Sequence, residues 1–220
     1  MYSEKIKLAA YSKKEDKLNC ITHAAGVLLA VAVLAICLKK SLESGEANKI
    51  VSALIYGGTM ITLYAASAFY HGLPVGKMRK IARVIDYSMI YLLIAGTATP
   101  CALIGLYHIN RGHALFVFYF AWACAVVGIL MSTVFFEKTR VLRMVLYIGE
   151  GVVMFASIYP IKGAIDKCAL GLLILGGLIY VAGTIFLRLG KKKEYAHTIF
   201  HLFVLAGSVM HFYVMVKYIF

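Results

Sequence analysis

Seven apolar runs, each bounded by charged residues, cover 18–38, 50–71, 84–107, 114–136, 141–161, 166–188 and 195–220. Each is long enough to cross a bilayer as a helix, for which about 20 apolar residues suffice. None alternates apolar with polar residues as a barrel strand would, and an isolated helix satisfies its own backbone hydrogen bonds in lipid. The pattern predicts an all-α membrane protein, a bundle of seven transmembrane helices. Composition agrees: 62% of residues are hydrophobic and 15% charged, against roughly 45–50% apolar and about 25% charged in soluble domains. Within 220 residues, seven spans leave only short connections. A basic N-terminal arm (1–17) therefore precedes a single membrane domain (18–220), and any chemistry must sit inside the bundle or at its edge.

The net charge of +13 is read from where the charges fall. The arm carries Lys5, Lys7, Lys13, Lys14 and Lys17, and the even-numbered connections carry Lys77, Arg79, Lys80, Arg83, Lys138, Arg140, Arg143, Arg188, Lys191, Lys192 and Lys193. The opposite side has only Lys39, Lys40, Lys49, Arg111, Lys162, Lys167 and Lys217. This asymmetry of 16 against 7 places the N-terminus in the cytoplasm and the C-terminus outside by the positive-inside rule. The basic excess is thus a topology signal that also attracts anionic headgroups at the cytoplasmic face, and no nucleic-acid partner is expected. The polar start and the lack of a small-residue cleavage site before Lys39 make the first run a retained span. Cys20, Cys37, Cys101, Cys124 and Cys168 form no C-x-x-C pair and read as small apolar residues.

Ionisable groups inside spans are costly and mark function by default. Those present are few: Asn19 and His23 in the first span, Ser67 and His71 in the second, Asp86 in the third, Glu150 in the fifth, and His197, His201 and His211 in the seventh. The predicted topology puts Asn19, His23, Ser67, His71, Asp86, His197 and His201 at one depth, toward the cytoplasmic face. Residues four apart share a helix face, so His197 and His201 can reach one ion, and Ser67 lies one turn from His71. Three imidazoles and an open fourth position make the ligand set of a catalytic zinc. Asp86 is then the candidate general base and Ser67 the group that positions a water or an oxyanion, with Asn19 and His23 bordering the pocket. His108 and His113 read as interfacial residues. His211 and Ser208 continue the polar stripe of the seventh span, as a packing seam or the lining of a path. Gly57, Gly58, Gly171, Gly176, Gly177 and Gly183 suit close helix contacts, and Pro100 should kink the third span.

Four stretches carry a resemblance: EDKLNCITHAAG (15–26), SAFYH (67–71), Asp86 followed by LIAGTATP (93–100), and HTIFHLFVLAGSVMHF (197–212). Together they resemble the bacterial hemolysin III family, within the superfamily of progestin and adipoQ receptors and alkaline ceramidases. The resemblance implies a seven-helix protein of the cell membrane with an intramembrane zinc held by His71, His197 and His201, and with Ser67 and Asp86 as supporting or catalytic residues. The superfamily's hydrolases cleave lipid amide bonds, which implies membrane lipid as the substrate; the family name implies haemolytic, pore-forming activity. Two departures stand out: Asp16 replaces a second Glu, and Glu150 stands where an aromatic more often follows Gly149. The leading expectation is a zinc-dependent hydrolase of a lipid amide or acyl bond, or a membrane-homeostasis protein derived from one. The alternatives are a pore with structural zinc and a ligand-sensing receptor.

Overall fold

The computed structural model describes residues 6–158, 165–190 and 193–220. Within them the chain forms seven helices long and apolar enough to cross a membrane. These are α1 (Lys13–Ser44), α2 (Ala47–Gly72), α3 (Lys77–Pro100), α4 (Arg111–Val134), α5 (Arg140–Ile158), α6 (Lys167–Leu189) and α7 (Ala196–Val214). The described residues contain no strand. Positions 159–161 of the fifth run, and Lys5, Lys162, Lys191 and Lys192 of the charge tally, lie outside the described residues.

Local sequence sets the helix ends. Ser12 and Glu15 fit the S-x-x-E capping pattern, and the Ser12 hydroxyl accepts from the Glu15 N–H at 3.2 Å. α1 therefore starts at Lys13, five residues before the apolar run begins, and stops at Gly45, whose φ of 68° is the left-handed conformation that ends helices. Asn110 and Asp166 cap α4 and α6 through their side chains. α3 ends at Pro100, but the span continues without a break to Leu106. The helix widens into a π-helical turn, Cys101–Leu106, just where proline removes a backbone donor. Thr99 donates back to Ala95 O at 2.8 Å and accepts from the Trp122 indole at 3.2 Å.

From α1 to α5 and from α6 to α7 each helix packs on the next in sequence, α7 returns to α1, and α3 also touches α5, so the helices form a ring that is loose between α5 and α6. The starts of α1, α3 and α7 meet the end of α2 at one end of the bundle, the arm face: Asp16 contacts both His71 and Arg79, and Asn19 contacts both His71 and Thr198. Small residues admit the close contacts. An added Cβ at Gly26 would strike the Tyr64 ring, at Gly57 the Leu34 side chain and at Gly176 the His211 ring. Gly177 and Gly183 likewise meet Phe155 and Phe203, whereas Gly58 and Gly171 have nothing within 4 Å. Successive helical residues point about 100° apart, so Gly57 turns its neighbour Gly58 away from the seam. Leu28, Phe116, Tyr119, Val145 and Leu178 are exposed on the outside; apolar side chains spread around a helical bundle face lipid.

α5 and α6 barely touch. Between them lies a cleft of about 940 Å³ lined by apolar residues of α2, α3, α5, α6 and α7, among them Leu63, Ile94, Phe155, Leu178, Phe200 and Val204.

The arm is not a free tail over its described residues. Ile6 is buried with Val84 and Phe136, the Arg83 guanidinium donates to the Lys7 carbonyl, and the Lys7 N–H donates to Glu137 at 3.0 Å.

Candidate metal centre

His71 is in the last turn of α2, and His197 and His201 occupy the first turns of α7. All three are 1–4% exposed, and one nitrogen from each lies within 4.8 Å of the other two. The Nε2 atoms of His197 and His201 are 3.1 Å apart. Zinc–nitrogen bonds of about 2.0–2.1 Å in a tetrahedron put ligand nitrogens roughly 3.3 Å apart, so the spacing fits such an ion.

The other ring nitrogens determine which lone pairs are free. A carboxylate can only accept, so His71 Nδ1–H donates to Asp16 at 3.1 Å, which leaves Nε2 as a lone pair. That Nε2 is buried with no hydrogen-bond partner among the described residues. The Thr22 hydroxyl spends its proton on Asn19 O at 2.9 Å, so His201 Nδ1–H donates toward Thr22 Oγ at 3.2 Å and Asn19 O at 3.3 Å. His201 Nε2 is then also a lone pair, 3.1 Å from His197 Nε2; the His197 proton is either shared with that lone pair or carried on Nδ1, which has no partner among the described residues. Two buried lone pairs, on His71 and His201, beside a third imidazole suit a bound cation. The donor set is all imidazole and buried, a combination suited to zinc among the common divalent ions.

Asn19 ties the two parts together. Its side-chain oxygen accepts from the Thr198 hydroxyl at 2.6 Å, and its amide nitrogen is 3.5 Å from His71 Nδ1. His23 stacks on His201 with ring centroids 3.6 Å apart and planes 15° apart; both its nitrogens lack partners among the described residues. Toward the arm face, Tyr11 stacks on His197 at 5.0 Å and tilts against His71 at 5.5 Å, roofing the site. Burial raises the Tyr11 phenol above the usual tyrosine range, so it stays protonated.

Asp86 is linked to the centre through a neighbouring serine, one of the contacts its place in the sequence allowed. Its hydrogen-bond partner is Ser67, and Ser67 lies one turn from His71. The carboxylate touching a triad imidazole, among the described residues, is Asp16, which also pairs with Arg79. Arg79 in turn donates to Leu73 O at 2.9 Å and lies over the Tyr70 ring. Sequence reading left Asp16, Thr22, Thr198 and Tyr11 out of the site. The S-x-x-E cap at 12–15 was the available signal, because it moves the start of α1 back far enough to make Asp16 a helical residue.

The remaining polar residues lie elsewhere. Ser208 joins Tyr64 and Tyr180, each at 2.7 Å, and His211 donates to Leu173 O at 3.0 Å, so the lower stripe of α7 is a hydrogen-bonded seam. Glu150 is buried on α5 near Tyr91 and Cys124, and neither oxygen has a partner among the described residues. His108 is exposed, 3.9 Å from Glu46. His113, expected at an interface, donates to Ser157 O at 2.8 Å and ties α4 to α5.

A ring of seven apolar helices with three imidazoles gathered at one end defines a multi-pass cell-membrane protein with a histidine centre inside the bundle. The family model for haemolysin-III-related proteins matches residues 11–212, and the chain belongs to that family. It is 36% identical to the hemolysin-3 homolog of Bacillus subtilis, over 94% of this chain and 96% of that one. It is 34% identical to hemolysin-3 of Bacillus cereus, over 99% and 97%. More distantly, it is 26% identical to the human monocyte to macrophage differentiation factor, over 94% and 85%. The family thus falls within the superfamily of progestin and adipoQ receptors.

Proposed function

We propose that the protein is a zinc-dependent hydrolase of a lipid amide or acyl bond, working at the cytoplasmic side of the membrane. The observation that carries this reading is the convergence of three buried imidazoles, two of them held by other partners at Nδ1. His71, His197 and His201 would hold the metal. A zinc ion bound by neutral imidazoles supplies an acidified water, with a pKa of about 7, and polarises a carbonyl oxygen. Asp86 would serve as the general base, and the Ser67 hydroxyl, by donating to its carboxylate, keeps it aimed. The α5–α6 cleft takes the acyl chain. Phe200 lines that cleft while its ring lies 5.6 Å from that of His197 and 5.9 Å from that of His201, so the chain's path ends one side chain from the imidazoles.

The test is zinc content and lipid turnover of the purified protein. His201→Ala should lose both, while Asp86→Asn should keep the zinc and lose turnover. Full zinc in His201→Ala, or undiminished turnover in Asp86→Asn, overturns the reading. The name of the Bacillus cereus relative, hemolysin-3, favours a second reading as a pore with structural zinc. Ion flux through liposomes that falls in His211→Leu and persists in Asp86→Asn would support the pore instead.

A further inference from the structure

The ligands come from chain positions far apart, His71 at the end of α2 and His197 and His201 at the start of α7. One turn of α1 touches both. Asp16 holds His71 through Nδ1 and is itself held by Arg79 of α3. Glu15, 2% exposed, is buried beside the start of α7, near the backbone of Tyr195 and His197, and its Oε1 has no hydrogen-bond partner among the described residues. That end of α7 needs an acceptor. The first N–H groups of a helix have no partner within it, and the cap residue, Tyr195, is left-handed with φ 63° and offers no side-chain hydrogen bond. A carboxylate placed there sits well in the field of the helix dipole and within reach of those amides. Adjacent residues on α1 point about 100° apart, so the two acids necessarily serve two different neighbours.

We propose that Glu15 and Asp16 are a positioning pair that assembles the histidine centre: Asp16 fixes the tautomer and ring orientation of His71, and Glu15 fixes the turn of α7 bearing His197 and His201. The pair is not a ligand set. Asp16 acts through His71, and Glu15 acts through the backbone that sets the height and rotation of α7. This inference rests on the reading of the triad as a zinc site. Partners that orient metal-bound histidines typically change affinity by about 10–100-fold when removed. Asp16→Asn leaves shape intact but replaces an acceptor-only group with one able to present an N–H, so His71 loses the instruction to keep its proton on Nδ1. Glu15→Gln keeps an oxygen for the amides, whereas Glu15→Ala removes it.

The experiment uses the full-length protein in detergent, with zinc affinity from competition against a chelator, the visible spectrum of the cobalt-substituted protein, and thermal unfolding after metal removal. Asp16→Asn is expected to weaken zinc about 10–100-fold and to shift the cobalt spectrum, with metal-free unfolding unchanged. Asp16→Glu should recover most of the affinity, since a carboxylate returns. Glu15→Ala should weaken zinc while Glu15→Gln stays close to wild type. If the wild type binds zinc and both Asp16→Asn and Glu15→Ala match it within twofold, with unshifted cobalt spectra, the positioning role is overturned and the metal site stands. If Asp16→Glu fails to rescue while unfolding like the wild type, the tautomer argument is overturned. If the wild type takes up no zinc or cobalt, the metal reading falls and this inference with it.

Discussion

Where α1 meets α2, and where α6 meets α7, glycine brings rings against backbone: Gly26 lies under Tyr64, Gly176 under His211 and Gly207 under Tyr180. Where α5 faces α6, the helices hardly meet, and Gly149, Gly151 and Gly171 have nothing within 4 Å. Lipid tails are as apolar as leucine, so apolar area alone gives helices little reason to choose each other over the bilayer; close fit and internal hydrogen bonds decide. The α1–α2–α7 side has both, including the links from Asp16 to α2 and from Asn19 and Thr22 to α7. The α5–α6 side has one such contact, Gly177 on Phe155, and no cross-helix hydrogen bond among the described residues, and it keeps a cleft. Rigidity is concentrated around the imidazoles, and room is left where a lipid chain would need it.

Four substitutions test that contrast. The largest effect is expected for Gly26→Val, which drives a branched side chain into the Tyr64 ring; overpacking of this kind costs about 1–3 kcal/mol, read as a lower unfolding temperature in detergent. Leu178→Trp, in the cleft, should slow lipid turnover about tenfold, the lower end of what a changed apolar pocket commands, with zinc content unchanged; a loss of zinc instead would mean that cleft and centre are one mechanical unit. Tyr11→Ala removes the ring stacked on His197, and zinc should pass to an external chelator several times faster while equilibrium content at excess zinc stays the same. Gly171→Val should be the mildest, within about 0.5 kcal/mol, because open space receives the added methyls. Equal destabilisation by Gly26→Val and Gly171→Val would abolish the distinction between the two sides.

The sequence revealed the helices and the ligand types more readily than their partners. Hydropathy located all seven spans because the bilayer imposes one length on every crossing, and the spacing of His197 and His201 placed them on one face before any coordinate was known. Periodicity says nothing about which helices abut, so the cleft between α5 and α6 could not be read. Counting charge put Glu15 and Asp16 in a solvated arm, yet the Ser12 cap makes them the first turn of α1. Asp86 attracted attention as an acid within a span, and its pairing with Ser67 depends on how α2 and α3 face each other, which spacing within either helix leaves undetermined. Glu150 was visible as an oddity and remains one, a buried carboxyl whose oxygens have no partner among the described residues.

The seam between α5 and α6 makes the surrounding amphiphile a component of the tertiary structure. A protein whose wall is completed by solvent tails does not have one intrinsic melting point: its thermal resistance is a joint property of the polypeptide and of the length and saturation of the chains that fill the gap. Purification in short-tailed detergents would lower it, return to bilayers would restore it, and a shift in membrane composition would reach the helices through that opening before it reached any other part of the molecule.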